Sequence, residues 1–317
     1  MRLTNLIEDG KYYKGNLHCH STYSDGTQKI EVLAQAYKEK GYDFVAFTDH
    51  NIFADWKNLC DESFLALRGF EGNLEMHNEG REFHFVVIPG TPEALKNAVK
   101  PCFGHLEKVP VREFSGLETA QEFIDDMLAR GFQVIFAHPH WSTIEYDDVV
   151  QLKGLVACEV FNNSSYKLLN MGESCVFWDA VMRRGPRLWG VASDDNHNFE
   201  PFGTIGSDSF GGFVQVKAKS LSEEDICSSI AAGSFYASTG PEIYDFYVEG
   251  NEAFLSCSPV SRIYFNGERR QFTWNLAEPG QHVESHRGKI YPGQTYIRAE
   301  IYDEYGRKAY ANPIFLK

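Results

Sequence analysis

No run of about 18 consecutive apolar residues occurs in this 317-residue chain, so no segment is built to cross a bilayer as a helix. The amino terminus, MRLTNLIEDGKYYKG, lacks a basic stretch followed by an apolar core, and a secretory leader is not expected. Cysteines are few and scattered: Cys19, Cys60, Cys102, Cys158, Cys175, Cys227 and Cys257 form no C-x-x-C pair. That spacing argues against a disulfide framework and against a thiolate zinc site, and points to buried or idle thiols in a reducing cytoplasm. Positive charge is also short, with 30 Lys and Arg against 44 Asp and Glu for a net charge of −14. A surface of that sign repels long duplex nucleic acid, but it does not exclude a small anion held through metal ions. The densest basic cluster, Arg183, Arg184 and Arg187, follows a helical pattern and suits that helix's carboxyl end. Internal repeats and low-complexity segments are absent.

What remains is an ordinary globular composition, 43% hydrophobic and 23% charged, in a chain long enough for one large domain plus a small one, or two medium ones. Up to about residue 238, apolar strand-like runs (YDFVAFTDH, FHFVVIPG, FQVIFAHPH, GLVACEVFN, RLWGVASDD) alternate with amphipathic stretches. Ile30, Leu33, Ala34 and Tyr37 share one helical face before Gly41. Thr119 and Glu122 form a capping-box pattern ahead of Phe123, Ile124, Met127 and Leu128, with Gly131 to end the helix. Val176, Phe177, Ala180 and Val181 precede Gly185, and Ser222 opens a helix carrying Ile226 and Ile230. This alternation predicts an α/β domain with a largely parallel sheet, closed into a barrel. Beyond YASTGPE the helical period disappears, and short alternating runs broken by Gly, Pro and Asn predict a small antiparallel β-sandwich. The predicted division is 1–240 and 241–317.

The chemistry gathers at strand ends. In GNLHCHSTYSDG, His18 and His20 point the same way on an extended chain, while Leu17 and Cys19 face packing. Alone, an H-x-H is as often accidental as metal-binding. Three further buried-strand patterns break into the same residue types at their carboxyl ends: Asp49-His50, His138 with His140, and Asp194-Asp195 with His197. That is the edge of an α/β barrel that carries active sites, and core histidines would not collect there. Glu71 in LRGFEGN is a candidate bridge between two cations, against the reading of a solvated loop glutamate. His84, joined directly to FHFVVIPG, competes with His77 in the preceding loop.

The series HCHSTYSDG, TDHN, FEGN, FHFVVIPG, FAHPHW, CEVFNN and SDDNH resembles the PHP family, named for its polymerase-associated and histidinol-phosphatase members, over roughly residues 12–240. Within it the chain resembles the stand-alone phosphoesterase branch that carries an appended β domain. The resemblance implies a distorted seven-stranded (β/α) barrel with two to three divalent metal ions at the carboxyl ends of its strands. One ion would take His18, His20, Glu71 and Asp195; a second would share Glu71 and add His84 and His138; a third would take Asp25, His50 and His197. The family's D-x-H ending selects Asp195, with Asp194 one residue away as the alternative. Imidazole and carboxylate donors without thiolate suit Mn, Fe or Zn.

The implied reaction is hydrolysis of a phosphate ester by a metal-bound hydroxide, with Glu71 and Asp195 in the catalytic centre. His140 would either donate a proton to the leaving group or support the ligands from behind. Asn162, Asn163 and Lys167 are candidates for substrate contact, Lys167 doubling as a plain solvated residue. The expected substrate is a small phosphorylated metabolite or nucleotide, with no membrane and no long duplex as partner. An exonuclease-like phosphodiesterase on short nucleic acids is the enzymatic alternative. A non-catalytic metal- or carbohydrate-binding module is the other, since a sandwich fold names no function. His282 and His286, in PGQHVESHRG, read as part of an exposed loop outside the chemistry.

Overall fold

Segments buried on both faces must be covered by helices on each side, and the strands Phe83–Pro89 and Phe132–Phe136 are buried at every position. The computed structural model describes residues 2–75, 80–270 and 272–316. The helix Ile30–Glu39 buries Ile30, Leu33, Ala34 and Tyr37, and Gly41 follows it at φ +75°, a left-handed conformation that glycine adopts freely. The helix Glu223–Ala231 is capped by Ser222, whose hydroxyl accepts the Asp225 N–H at 3.2 Å.

Two helices depart from expectation. Leu117–Ala129 begins before Thr119, on Gly116, so the capping box does not form; the Thr119 hydroxyl instead contacts Ser115 Oγ at 2.9 Å. Cys175–Met182 turns Trp178, Val181 and Met182 inward, leaving Val176 83% exposed, because the indole claims the core position.

A six-stranded sheet runs Trp189–Ser193, Leu155–Asn162, Phe132–Phe136, Phe83–Pro89, Phe70–Glu75 and Arg112–Glu113. A nine-stranded sheet runs Thr273–Leu276, Arg262–Gly267, Tyr296–Tyr302, Lys308–Phe315, Phe235–Ser238, Phe213–Ala218, Lys11–Asn16, Phe44–Ala46 and Leu65–Leu67. Pairing is mixed, not largely parallel: Phe83–Pro89 is antiparallel to both of its neighbours, and its link from Phe70–Glu75 is too short for a parallel crossover between those two. Among the described residues the two sheets share no continuous strand ladder. They are stitched together at one end by parallel bridges, Cys19 with Asn196 and His50 with Glu71. Asp195 N–H donates to the His18 carbonyl at 2.9 Å, and Asn51 N–H to that of Glu71 at 2.7 Å. Both seams carry the strand ends predicted to hold the chemistry.

From Ile243 onward the chain is all β. Arg2–Leu3, Ile243–Glu249, Glu252–Val260 and Val283–Lys289 form a four-stranded sheet, and Ile243, Phe246, Leu255, Val260, Ile263 and Ile301 belong to a core of their own. The nine-stranded sheet crosses residue 240 without interruption, since Phe235–Ser238 pairs with Lys308–Phe315 through Tyr236 and Ala311. A buried arginine reinforces the joint: Arg298 donates to both Asp179 oxygens at 2.9 and 2.8 Å and to Glu300 at 3.1 Å, with its guanidinium 5.1 Å from the Trp178 ring. The predicted loop around His282 and His286 is a strand from Val283; His286 Nε2 lies 3.0 Å from Thr273 Oγ1 and its ring packs 4.6 Å from Phe265.

Candidate metal centre

At the stitched end, nine side chains converge. His18 and His20 sit just beyond the strand Lys11–Asn16, and both are fully buried. The chain bends at Leu17, and Leu17 and Cys19 are buried in two different apolar clusters. Asp49 holds the following loop: its carboxylate accepts from Ser21 N–H, Ser21 Oγ and Ser24 Oγ, each at 2.8 Å, and from Ser24 N–H at 3.0 Å. The loop so fixed carries Asp25 to 3.5 Å from His50 Nε2 and 3.4 Å from His197 Nε2.

Glu71 is the hub. Its Oε1 lies 3.0 Å from His84 Nδ1 and 3.0 Å from His138 Nε2. Its Oε2 lies 2.9 Å from His50 Nδ1 and 3.3 Å from Nε2 of both His18 and His20. Asp195 Oδ1 meets His20 Nε2 at 3.0 Å and His18 Nε2 at 3.1 Å. Three overlapping groups have ligand atoms mutually within 4.8 Å: His18, His20, Glu71 and Asp195; His20, Asp25, His50 and His197; and His50, Glu71 and His84. The first is the set that the resemblance implies for one ion. The second adds His20 to the implied third set, and the third gathers His50 around Glu71 and His84. His77 lies outside the described residues.

The doubled aspartate is resolved by backbone geometry. Asp195 takes φ +53° and turns into the cluster. Asp194 points the other way, accepting from the N–H groups of Phe210, Gly211 and Gly212 and from the Tyr37 hydroxyl at 2.6 Å. Burial lifts the Asp194 carboxyl to about 6 against those hydrogen bonds. In the cluster the balance runs the opposite way. Burial disfavours charge on His50, yet Glu71 and Asp25 outweigh it and raise the imidazole to about 11; His197, opposed by burial and favoured by Asp25 and Asp195, rises to about 9. Burial would likewise raise Glu71 and Asp195, but the surrounding imidazoles hold both below the usual carboxylate range. These carboxylates demand positive charge.

The donor set fits divalent cations on one observation in particular. Glu71 Oε2 is buried, has three imidazole nitrogens within 3.3 Å, and makes no hydrogen bond. A buried carboxylate oxygen without a hydrogen bond is costly; imidazole nitrogens converging on it mark a focus that a cation can occupy once they lose their protons.

One carboxylate at the centre was not predicted. Glu159, fully buried, accepts from His18 Nδ1 at 2.8 Å, from the His138 backbone N–H at 2.8 Å, from Asn162 Nδ2 at 2.8 Å and from Ser193 Oγ. An ionised carboxylate only accepts, so His18 keeps a proton on Nδ1, and Nε2 is the nitrogen that faces the cluster and becomes a donor to a cation once its own proton leaves. The sequence signal was a lone charge inside the apolar run GLVACEVF, which has to be paired.

Several predicted contacts are corrected. Asn162 is buried, donating to Glu159 and to Asp195 Oδ2 at 3.0 Å while capping the helix Asn163–Leu169. Asn163 donates to the Asp208 carbonyl at 2.7 Å, and Lys167 is exposed outside the cleft lining. The face of that helix turned to the cleft is Ser164, Ser165, Leu168 and Leu169. His140 leaves as well. His138 takes φ +27°, the strand ends at Phe136, and the H-x-H alternation breaks; His140 lines a neighbouring groove, while Trp141 faces the cleft 4.8 Å from the His138 ring. Above the cluster lies an open cleft of about 410 Å³.

Residues 16–138 match the model of the PHP domain. A stretch of 46 residues, 14% of this chain, is 52% identical to the DNA polymerase/3'-5' exonuclease PolX of Bacillus subtilis, but spans only 8% of that protein. Among solved structures, the chain is similar to a two-domain protein of Bacteroides vulgatus containing a predicted PHP-like metal-dependent phosphoesterase, with a TM-score of 0.51, 15% identity, and 94% of this chain and 92% of that one covered. At that identity the likeness is one of fold. A Bifidobacterium adolescentis protein assigned as a metal-dependent phosphoesterase aligns over 62% of this chain and 91% of its own, at 15% identity and a TM-score of 0.41.

Proposed function

We propose that this chain, which carries a PHP domain over residues 16–138, is a hydrolase of phosphate esters working through two or three divalent cations. The observation that carries the reading is Glu71, a single buried carboxylate in contact with five imidazoles. His18, His20, Glu71 and Asp195 would hold one ion. Asp25, His50 and His197, with His20 at their edge, would hold another. Glu71 and His84, flanked by His50 and His138, would hold the remaining one. Mn, Fe and Zn all suit such donors. When bound, the cations supply Lewis-acid activation of water and of a phosphoryl oxygen.

The chain's own residues do the rest. Glu159 fixes the His18 tautomer, Asn162 braces Asp195, and Asp49 ties down the loop that presents Asp25. Strand ends at both seams, a distorted barrel in this reading, keep these groups on rigid backbone. Among the described residues no helix is long and apolar enough to cross a membrane, and the described cysteines are all free. A reducing cytoplasm suits them. The substrate class is a small phosphorylated metabolite or nucleotide.

The deciding experiment is to strip the protein with chelator, reload it with Mn²⁺, Fe²⁺ or Zn²⁺, and assay a panel of phosphomonoesters and phosphodiesters. Hydrolysis should require metal and vanish in Glu71→Gln. No hydrolysis of any ester by protein holding two to three metal equivalents would refute the reading. The short match to a polymerase with 3'-5' exonuclease in its name favours one second reading, trimming of short nucleic acids, although a net charge of −14 opposes it. Oligonucleotides belong in the same panel.

A further inference from the structure

The cleft over the metal cluster has an unusual charge balance. Every charged side chain that lines it, apart from the histidines, is a carboxylate: Asp25, Glu71, Glu82 and Asp195. Among the described residues no lysine or arginine lines it, and residues 76–79, MHNE, contain none. Arg81, next in the chain, faces Asp148 at 3.5 Å. Apart from the neutral Asn73, Ser164 and Ser165, the rest of the wall is apolar. Phe199 is 64% exposed and lies parallel to the His197 ring at 5.7 Å; Leu168 and Leu169 are 47% and 55% exposed on the facing helix; Trp141 closes a third side.

A phosphoryl group over the cluster would be neutralised by the cations alone. A second phosphate, displaced up the wall, would meet leucine, phenylalanine and the Glu82 carboxylate, with no cation to pair it. Like charges in a partly desolvated cleft repel strongly, whereas a flat apolar group would bury against Phe199 and Trp141. We propose that the site selects esters bearing one phosphoryl group on an uncharged, flat apolar alcohol, with Phe199 as the specificity-determining residue. This rests on the phosphoester reading for its anion, but not on turnover.

The test uses the full chain loaded with Mn²⁺ and three non-hydrolysable probes: methylphosphonate, benzylphosphonate and p-xylylenediphosphonate, with affinities from calorimetry. Benzylphosphonate should bind about 10-fold or more tightly than methylphosphonate, in line with the strength of stacking on an aromatic side chain. The added phosphonate of the third probe should cost about 10-fold or more. Phe199→Ala should cut the benzyl preference several-fold, leaving the part owed to Trp141, and leave methylphosphonate affinity unchanged, since Phe199 is exposed and belongs to no core cluster. Ile205→Ala, exposed and outside the cleft, should change nothing. Equal affinity for methyl and benzyl probes, or tighter binding of the diphosphonate, overturns the proposal. Binding as expected without hydrolysis of any ester supports it and overturns the phosphoesterase reading alone. Failure to bind any phosphonate overturns both.

Discussion

Replacing Glu159 by Gln exchanges one carboxylate oxygen for an NH₂ and reverses the hydrogen-bond pattern on that side. The carboxylate faces four donors: His18 Nδ1 and Ser193 Oγ on one oxygen, the His138 backbone N–H and Asn162 Nδ2 on the other. Glutamine offers one oxygen and one NH₂: on the first side the Ser193 hydroxyl can turn to accept but His18 Nδ1–H confronts a donor, and on the second both partners do. With the NH₂ toward His18, the imidazole has to move its proton to Nε2, and its lone pair leaves the cluster. With the NH₂ the other way, the His138 N–H and Asn162 lose their acceptor, and Asn162 is the brace on Asp195. Disrupting such a support costs about 10–100-fold in metal affinity, or about 1.4–2.7 kcal/mol. Buried donors left unsatisfied also cost the metal-free fold about 1–3 kcal/mol each. The assay is competition of chelator-stripped protein against an indicator for Mn²⁺, paired with thermal melts. We expect a 10–100-fold weaker tightest site, a lower metal-free Tm and unchanged far-ultraviolet circular dichroism. Ser193→Ala, which removes one donor and spares the His18 contact, should weaken binding far less. Wild-type affinity in Glu159→Gln would show that His18 needs no held tautomer, and the support argument would fail.

Four further outcomes are expected. Glu71→Gln should lose more bound metal by elemental analysis than Asp25→Asn, because Glu71 belongs to two of the tight ligand groups and Asp25 to one; the reverse order would displace Glu71 as the hub. Metal binding near pH 7 should release protons, since His50 and His197 in the metal-free site stay protonated below about 11 and about 9. Affinity should therefore rise with pH, and proton release should shrink as pH passes about 9; calorimetric heats that do not vary with the buffer's ionisation enthalpy would contradict this. The double change His282→Ala/His286→Ala should leave metal content intact and lower Tm only slightly, through the lost contact of His286 with Thr273 and Phe265. Removing residues 243–317 should yield insoluble protein, because it bares the Phe235–Ser238 strand edge and the apolar face around Tyr236; a soluble monomer with full metal content would refute that.

The ligand-bearing strand ends were legible because a buried apolar run that stops on His or Asp is rare enough to notice. Glu71, His18, His20, Asp25, His50, His84, His138, Asp195 and His197 all came from that pattern or from the family resemblance, and the structure brings them together. Periodicity failed where backbone left its regular path. The strained turn at His138 sent His140 to another groove, and an alternation rule cannot foresee a positive φ. The asparagines after the CEV strand read as substrate contacts because polarity alone does not tell a buried brace from a ligand contact. Trp141 and Phe199 carry no acid–base chemistry and so attracted no notice, although they shape the cleft. Parallel against antiparallel pairing turned on the short link between Phe70–Glu75 and Phe83–Pro89, which a strand count does not expose.

The sheet that runs unbroken past residue 240 also has a consequence for how the chain is made. The strand Phe235–Ser238 finds its outer neighbour only when Lys308–Phe315 has been translated, roughly 75 residues later, or about 4–15 s at ribosomal speed. Until then the nascent metal-binding portion has an open edge, and Arg298 has not yet reached Asp179. Arg2–Leu3, made earlier still, likewise waits for Ile243–Glu249. Segments far apart in the sequence are therefore needed before either sheet is complete. A stalled or prematurely terminated product is the form of this protein most exposed to chaperones and proteases.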